Sequence, residues 1–250
     1  MSEVSQKLKN CLLENKDVLK SLFSEKRWAR ILSLMTELSK SFITLEPCSY
    51  DRFPDLLPLT DDVSKLYNIN YVNASFINLG SEESYIACQL PKKEHLADFI
   101  RFLGKANPAF ILSLDGSYDY LEKYKEFMVF SYTIKYGKKD FLTYEFYDIY
   151  GKTIGILKLN SWEDHSVISL DEMEFLDSQV SKYLSSKLII VHCKAGVGRT
   201  GTFILYRELR KLGRVTENDF IDKLIELRSQ RPGMVYEWEQ LEFLYTSFIN

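Results

Sequence analysis

The sequence is poor in the residues that crosslink small proteins or bind metals. Its 250 residues include only four cysteines and three histidines. The cysteines Cys11, Cys48, Cys88 and Cys193 show no paired spacing. This scarcity predicts neither a disulfide framework nor a zinc site, so a reducing compartment fits best.

Long apolar runs and an excess of positive charge are also missing. No stretch of about twenty apolar residues could span a bilayer, and residues 1–10 are polar, without the apolar core of a signal peptide. The balance of 32 basic against 35 acidic side chains gives no sign of a nucleic-acid-binding surface. We predict no transmembrane segment and no nucleic-acid partner. The protein is expected to be cytoplasmic, or to be secreted by a microbe into a host cytosol without a cleaved signal peptide.

No repeat, low-complexity tract or linker interrupts the chain, and its length suffices to bury one sizeable core. We therefore predict a single α/β domain over residues 1–250. Apolar residues at three- and four-residue steps over 3–40 predict two or three helices packed on one side of the core. Alternating runs predict an antiparallel meander at 127–130, 132–134, 141–147 and 153–159. Amphipathic spacing predicts two further helices, over 217–230 and 238–248.

One stretch carries most of the chemical information. Residues 188–191 are apolar and predict a buried strand, and 202–212 predict a helix. The tight loop between them contains Cys193 and Arg199. A strand–loop–helix of this kind directs backbone N–H groups and the positive end of a helix dipole at one spot, which favours an anion. The same field favours a Cys193 thiolate near neutral pH, and Arg199 can offer two donors to phosphate oxygens.

Taken singly these features are ambiguous, because a cysteine at a strand end is most often a small apolar filler. The joint pattern is more specific. The run from His192 to Gly201, His-Cys-Lys-Ala-Gly-Val-Gly-Arg-Thr-Gly, resembles the signature loop of the cysteine-based protein tyrosine phosphatases. The resemblance extends over about 47–245, which we interpret as the phosphatase core. It implies a central, highly twisted mixed β-sheet flanked by helices on both sides.

The resemblance also assigns roles within the loop. Cys193 becomes the nucleophile, and Arg199 a phosphate ligand. The backbone N–H groups expected to hold the phosphate belong to Lys194, Ala195, Gly196, Val197 and Gly198. His192 is expected to orient the loop, and Thr200 to donate to the Cys193 sulfur. No metal or other cofactor is needed, because the thiolate and the arginine supply what a metal would.

A general acid is predicted 29 residues before the nucleophile, at Asp164. A phosphate ester departs as its oxygen is protonated, so a carboxylic acid must reach over the nucleophile. Trp162-Glu163-Asp164 resembles the tryptophan-proline-aspartate loop of the family, with Trp162 as the anchor and Asp164 as the acid. Glu163 replaces the proline, which removes a fixed φ angle. The neighbouring His165 is predicted to be a surface residue without a role, with tuning of Asp164 as the alternative.

Two further segments resemble parts of the family's substrate site. In residues 51–58, Phe53 would form the aromatic wall of a phosphotyrosine slot and Asp55 would accept from the substrate backbone. A carboxylate after the strand at 109–114 is expected to hold the catalytic arginine. Asp119 is the predicted residue, with Asp115 as the alternative close by.

The main departure from the family lies after the turn at 231–235. The first of two glutamines expected there, which positions the hydrolytic water, is replaced by Tyr236, while Gln240 occupies the second position. We therefore expect water attack on the cysteinyl phosphate to be slower, or to rely on Gln240 or Asp164.

The resulting prediction is a protein-tyrosine phosphatase with phosphotyrosyl proteins as substrates. Two alternatives stay open. A basic residue at the position of Lys194 resembles phosphoinositide-directed relatives and also some phosphatases injected by bacterial pathogens, unless the side chain merely points at solvent. In the second alternative, Tyr236 and Glu163 would suit a catalytically weak module that captures phosphotyrosine. Abundant Lys, Asn, Ile and Phe residues suggest a microbial or viral protein, with a bacterial effector as a guess. The oligomeric state is not predicted.

Overall fold

The computed structural model describes residues 2–116, 121–183 and 188–249. The chain begins with amphipathic helices whose apolar faces join the main core, as the leucine spacing predicts. They are α1 (Glu3–Glu14), α2 (Lys16–Ser24) and α3 (Trp28–Ser39). Lys9 Nζ lies 2.9 Å from Glu226 Oε1, and Trp28 Nε1 donates to Glu242 Oε1 at 3.1 Å. These contacts attach the N-terminal helices to the C-terminal part of the chain.

A mixed β-sheet forms the centre of the described structure. Its strands are β1 (Ala74–Ile77), β2 (Ser84–Cys88), β3 (Phe110–Ser113), β4 (Met128–Tyr136), β5 (Lys139–Ile149), β6 (Lys152–Leu159) and β7 (Leu188–His192). Within the described residues their spatial order is β1-β2-β7-β3-β6-β5-β4. The four central strands β2, β7, β3 and β6 run parallel, and antiparallel pairs complete both edges.

Helices cover both faces of this sheet. They are α4 (Asp62–Leu66), α5 (Leu96–Ala106), α6 (Leu170–Lys182), α7 (Gly198–Lys211), α8 (Glu217–Gln230) and α9 (Trp238–Phe248). Along β7, Ile189 and Val191 belong to the core cluster with α7 and α8, whereas Ile190 belongs to the opposite cluster with α5. A strand buried on both faces reads as a continuous apolar run, which is why 188–191 lacks alternation. The predicted fold class, a mixed sheet flanked by helices on both sides, is confirmed.

The meander differs from the prediction at its edge. Residues 127–130 and 132–134 are predicted as separate runs, but 128–136 form one strand, β4, and Phe127 ends the 3₁₀-helix before it. The register with β5 shifts between Met128 and Phe130. Ser131, the polar residue that divides the two apolar runs in the sequence, pairs with Glu145 of β5, so the strand continues through it. Of the described helices, none is long and apolar enough to cross a membrane.

Candidate active site

The candidate site lies where β7 ends and α7 begins. The helix starts at Gly198, earlier than the predicted start at Thr202. The apolar pattern that reveals a helix begins only at Phe203, and the first turn carries glycine, a poor helix former. Gly201 is required there, because a Cβ atom at this position would lie 2.4 Å from the backbone nitrogen of Val235. The early start places Arg199 and Thr200 in the first turn of α7.

Cys193 lies at the floor of a pocket and is only 3% exposed. The Gly196 N–H donates to its sulfur over 3.3 Å. The N-terminal end of α7, with its partial positive charge, follows directly. Both features stabilise negative charge on the sulfur, which is the form that acts as a nucleophile.

The carbonyl groups of the loop are bound by the scaffold around it. Leu90 N–H donates to Lys194 O at 3.0 Å, and Val235 N–H donates to Val197 O at 3.1 Å. Arg231 donates to the two carbonyls between them, Ala195 O at 3.3 Å and Gly196 O at 2.9 Å. Because the C=O and N–H of a peptide unit point in opposite directions, turning these carbonyls outward turns the N–H groups of 195–198 toward the pocket. This geometry agrees with the predicted phosphate cradle.

Arg231 supports the loop, and the sequence did not reveal this contact. It is fully buried, and it also donates to Asn73 Oδ1 at 2.8 Å and to Ser75 Oγ at 3.2 Å. Burial lowers the pKa of Arg231 to about 10, so it remains charged at neutral pH. Nothing in the pattern Arg-Pro-Gly after a helix indicates that its side chain supports a loop 35 residues earlier.

Gly196 gives the first testable prediction. Its φ is +69°, and a Cβ atom would lie 2.1 Å from Cys88 O, a backbone atom with little freedom to move. We expect Gly196→Ala to lower the free energy of unfolding by more than the roughly 1–3 kcal/mol of a strained backbone alone, and to weaken binding of inorganic phosphate. Urea unfolding and phosphate titration measure both effects.

Gly213→Ala is the matched control. Gly213 has a similar φ of +73°, but no heavy atom among the described residues lies within 4 Å of the Cβ position. It therefore carries the strain without the clash. The opposite result would be an equal loss of stability in the two variants, with phosphate binding retained in Gly196→Ala. That result would contradict a close packing of the loop against Cys88 O.

Arg199 is 2% exposed and connects the loop to the acid. Its Nη1 donates to Trp162 O at 2.7 Å, and its Nη2 donates to Asp164 Oδ1 at 2.9 Å. A second carboxylate, that of Asp115, lies 3.7 Å from Nη2. The alternative residue of the prediction thus lies beside the arginine, whereas Asp119 lies outside the described residues.

Asp164 closes the pocket from above the arginine. Its Oδ2 lies 3.1 Å from Lys194 Nζ, so Lys194 faces the acid and does not simply point at solvent. Burial acts to raise the pKa of Asp164, but the charges of Arg199 and Lys194 outweigh it, and the net pKa is lowered. Trp162, which is 4% exposed, anchors the loop through its Nε1, which donates to Ser166 O at 3.0 Å.

Phe53 forms part of the pocket wall, as predicted, while Asp55 is exposed beside it and does not line the pocket. The segment around Phe53 is held by Gln89, which the sequence analysis did not single out. Gln89 Oε1 accepts from Phe53 N at 3.1 Å, and its Nε2 donates to Leu56 O at 3.0 Å. Asp51 is buried below, where it accepts from Asn73 Nδ2 at 2.7 Å. The loop that carries Phe53 is therefore held in place by the contacts of Gln89 and of Asp51.

Tyr236 and Gln240 both line the pocket. Tyr236 is 49% exposed at the rim. The amide of Gln240 already has two partners, since its Oε1 accepts from Glu237 N at 3.3 Å and its Nε2 donates to Ser166 O at 3.2 Å. Its role in steering water stays a prediction, and in this geometry it holds the acid loop against the start of α9.

Two supporting residues lie behind the loop. His192 is fully buried, which lowers its pKa to about 4. It is therefore neutral at physiological pH, in keeping with the predicted orienting role. The Thr200 hydroxyl is buried without a hydrogen-bond partner among the described residues, so the predicted bond to the Cys193 sulfur is not formed here and stays a prediction.

The described part of the chain contains no cluster of three or more His, Cys, Asp or Glu side chains that could hold a metal ion. The site is built from a thiol, an arginine, a carboxylate and backbone N–H groups. Such a set defines a candidate site for a phosphate group and for its transfer to sulfur.

Comparison with known proteins identifies the family of this chain. The protein-tyrosine phosphatase family matches residues 49–250, and the chain belongs to that family. Mouse tyrosine-protein phosphatase non-receptor type 20 is 29% identical over 229 residues, which cover 81% of this chain and 53% of the mouse protein. Rat receptor-type tyrosine-protein phosphatase V is 28% identical over 233 residues, covering 80% of this chain and 14% of the receptor. The chain thus spans about half or less of these two relatives.

Solved structures show the same fold. The catalytic domain of human protein tyrosine phosphatase non-receptor type 18 superposes with a TM-score of 0.69 at 23% identity, covering 95% of this chain and 97% of the human domain. A protein tyrosine phosphatase of Trypanosoma cruzi superposes with a TM-score of 0.67 at 20% identity, covering 92% and 90% of the two chains.

Proposed function

We propose that this protein hydrolyses phosphotyrosine monoesters of protein substrates through a cysteinyl-phosphate intermediate. The observation that carries the proposal is the convergence of three groups on one pocket. Cys193 lies at its floor, Arg199 beside the loop, and Asp164 above, in contact with the arginine at 2.9 Å. Family membership supports the same reaction class.

In the first half-reaction, the phosphate dianion binds the N–H groups of the loop and the guanidinium of Arg199. The Cys193 sulfur attacks phosphorus, an S–P bond forms, and the bond between phosphorus and the phenolic oxygen breaks. Asp164 transfers its proton to the departing oxygen. A dianion beside Arg199 adds negative charge near Asp164, which raises the pKa of that carboxyl and favours uptake of the proton that it then donates.

In the second half-reaction, the Asp164 carboxylate takes a proton from water as the water attacks phosphorus. The S–P bond breaks, and inorganic phosphate leaves with Cys193 again a thiolate. Tyr236 stands where relatives carry the first water-positioning glutamine, and the Gln240 amide has two protein partners. We therefore expect this step to limit turnover.

Phosphotyrosine is the favoured substrate because Phe53 and Tyr236 both line the pocket and offer ring faces to an aryl group. A specific observation favours a second candidate: Lys194 Nζ lies 3.1 Å from the acid, inside the same site, where it could meet an additional phosphate of an inositol lipid headgroup. Localisation and the kinship with effector-type phosphatases of bacterial pathogens stay predictions from the sequence.

Comparing substrates separates these two candidates. We expect kcat/KM for a phosphotyrosyl peptide to exceed that for phosphoinositides by at least about tenfold, since only the peptide presents a flat ring to the slot. Phosphate release from both, with Lys194→Met as the paired variant, provides the measurement. A lipid preference that Lys194→Met abolishes would replace phosphotyrosine with a phosphoinositide as the substrate.

A further inference from the structure

The acid loop makes a contact that the proposed reaction does not use. His165, next to Asp164, directs Nδ1 at Glu237 Oε1 over 2.6 Å. Glu237 lines the pocket and precedes α9 directly. The contact joins two segments that are 72 residues apart in the sequence. His165 lies at the surface, with 70% of its side chain exposed, and this contact gives it a partner across the pocket.

The backbone at His165 is held in an uncommon conformation. Its φ is +57°, in the left-handed region, which few residues other than glycine adopt, although asparagine, aspartate and histidine do so more often than the rest. Such a conformation persists when surrounding contacts hold it. Here Glu237 contacts the imidazole at 2.6 Å, and Gln240 Nε2 donates to the next carbonyl group, Ser166 O, at 3.2 Å.

These contacts occur in a loop that lacks the proline expected at position 163. Glu163 is exposed and leaves its own φ free. Closure of the loop therefore depends on contacts made across the pocket. His165 with Glu237 is one such contact, and it lies one residue from the proton donor.

We propose that His165 and Glu237 form a latch that holds the acid loop closed, which makes His165 a positioning residue for Asp164. The inference rests on the proposed function, because it concerns the proton donor of that reaction. His165 touches no reacting atom. It sets how often the Asp164 carboxyl stands over the leaving oxygen.

The latch should depend on pH, and its sign follows from the charges around the imidazole. Glu237, through its hydrogen bond, and Asp164, whose Oδ2 lies 3.9 Å from Nε2, raise the pKa of His165, whereas partial burial and Arg199 lower it, with a net increase. Lys194, whose Nζ lies 3.1 Å from Asp164 Oδ2, and the exposed Glu163 are further charges of the same region. Below the raised pKa the imidazolium is attracted to the Glu237 carboxylate. Above it that attraction is lost.

The test uses His165→Asn, which suits a left-handed backbone but is too short to reach Glu237. We expect kcat/KM for phosphate esters of poorly acidic phenols to fall about two- to fivefold, the range of a half-exposed ion pair. Esters of strongly acidic phenols should be little changed, because their leaving oxygen needs no proton. The ratio of wild type to His165→Asn should be largest at low pH and approach one above the imidazole pKa.

Glu237→Gln should reproduce this pattern, and the double variant should lose no more than either single one, because both remove the same contact. Glu239→Gln, which removes the same charge from the first turn of α9, is the matched control. If neither single variant changes how kcat/KM depends on the leaving group or on pH, the proposed latch is wrong. The proposed phosphatase activity would be unaffected by that result. Should the wild type cleave no aryl phosphate at all, the proposed function itself has failed.

Discussion

Replacing the nucleophile with serine is expected to abolish turnover while leaving the fold intact. Cys193→Ser replaces sulfur with oxygen in a 3% exposed position, and a serine hydroxyl does not ionise near neutral pH. We expect kcat for an aryl phosphate to fall on the order of 10⁴-fold or more. The exposed Cys48 offers the control variant Cys48→Ser, which should keep full activity.

This comparison also separates the enzyme from the pure binding module suggested by Tyr236 and Glu163. Wild type and Cys193→Ser would bind a phosphotyrosyl peptide in either case. Only an enzyme requires the sulfur. Equal background rates of phosphate release in the two proteins would leave capture of phosphotyrosine as the function.

Removing the acid is expected to uncouple binding from turnover. Asp164→Ala takes away the group that protonates the leaving oxygen, so kcat for a phosphotyrosyl peptide should fall about 10²- to 10⁴-fold. Affinity should be equal or higher, because the Asp164 carboxylate lies 2.9 Å from Arg199 and 3.1 Å from Lys194 and competes with phosphate for both. Calorimetric titration and steady-state kinetics with one peptide measure the two quantities.

Glu163→Ala is the control for this variant, since it removes an adjacent exposed carboxylate. It should leave kcat within a few-fold of wild type. If Asp164→Ala cleaved the peptide as fast as the parent, another group would be the proton donor. If it lost affinity as well, the carboxylate would contribute to binding in place of competing with it.

The sequence predicted best what is local. The strand at 188–191, the loop with Cys193 and Arg199, and the helices at 217–230 and 238–248 are encoded in short contiguous patterns, and the structure contains all of them. Within the loop, the order of residues alone indicated an anion site. The start of α7 was missed because Gly198 and Gly201 give no apolar signal.

What the sequence could not supply depends on contacts between distant segments. Arg231 holds the loop after Cys193 and Gln89 holds the loop around Phe53, each through a backbone carbonyl group. Every residue has a backbone carbonyl group, so the sequence of the accepting loop does not reveal such a contact. His165 and Glu237 meet only because the loop after β6 and the start of α9 come together at one pocket. The sequence favours Asp119 over Asp115 as the partner of Arg199, whereas Asp115 lies 3.7 Å from the guanidinium. Spacing within a loop does not fix which side chain turns inward.

The central claim is that phosphate passes through the Cys193 sulfur, and trapping that intermediate tests it most directly. Wild-type protein would be mixed with a ³²P-labelled phosphotyrosyl peptide, quenched in acid within milliseconds, and digested for mass analysis. If phosphate passes through the sulfur, the label appears transiently on the peptide that contains Cys193. The corresponding peptide of the Cys193→Ser variant carries no label. Phosphate release by the wild type with no label on Cys193 at any time would contradict it.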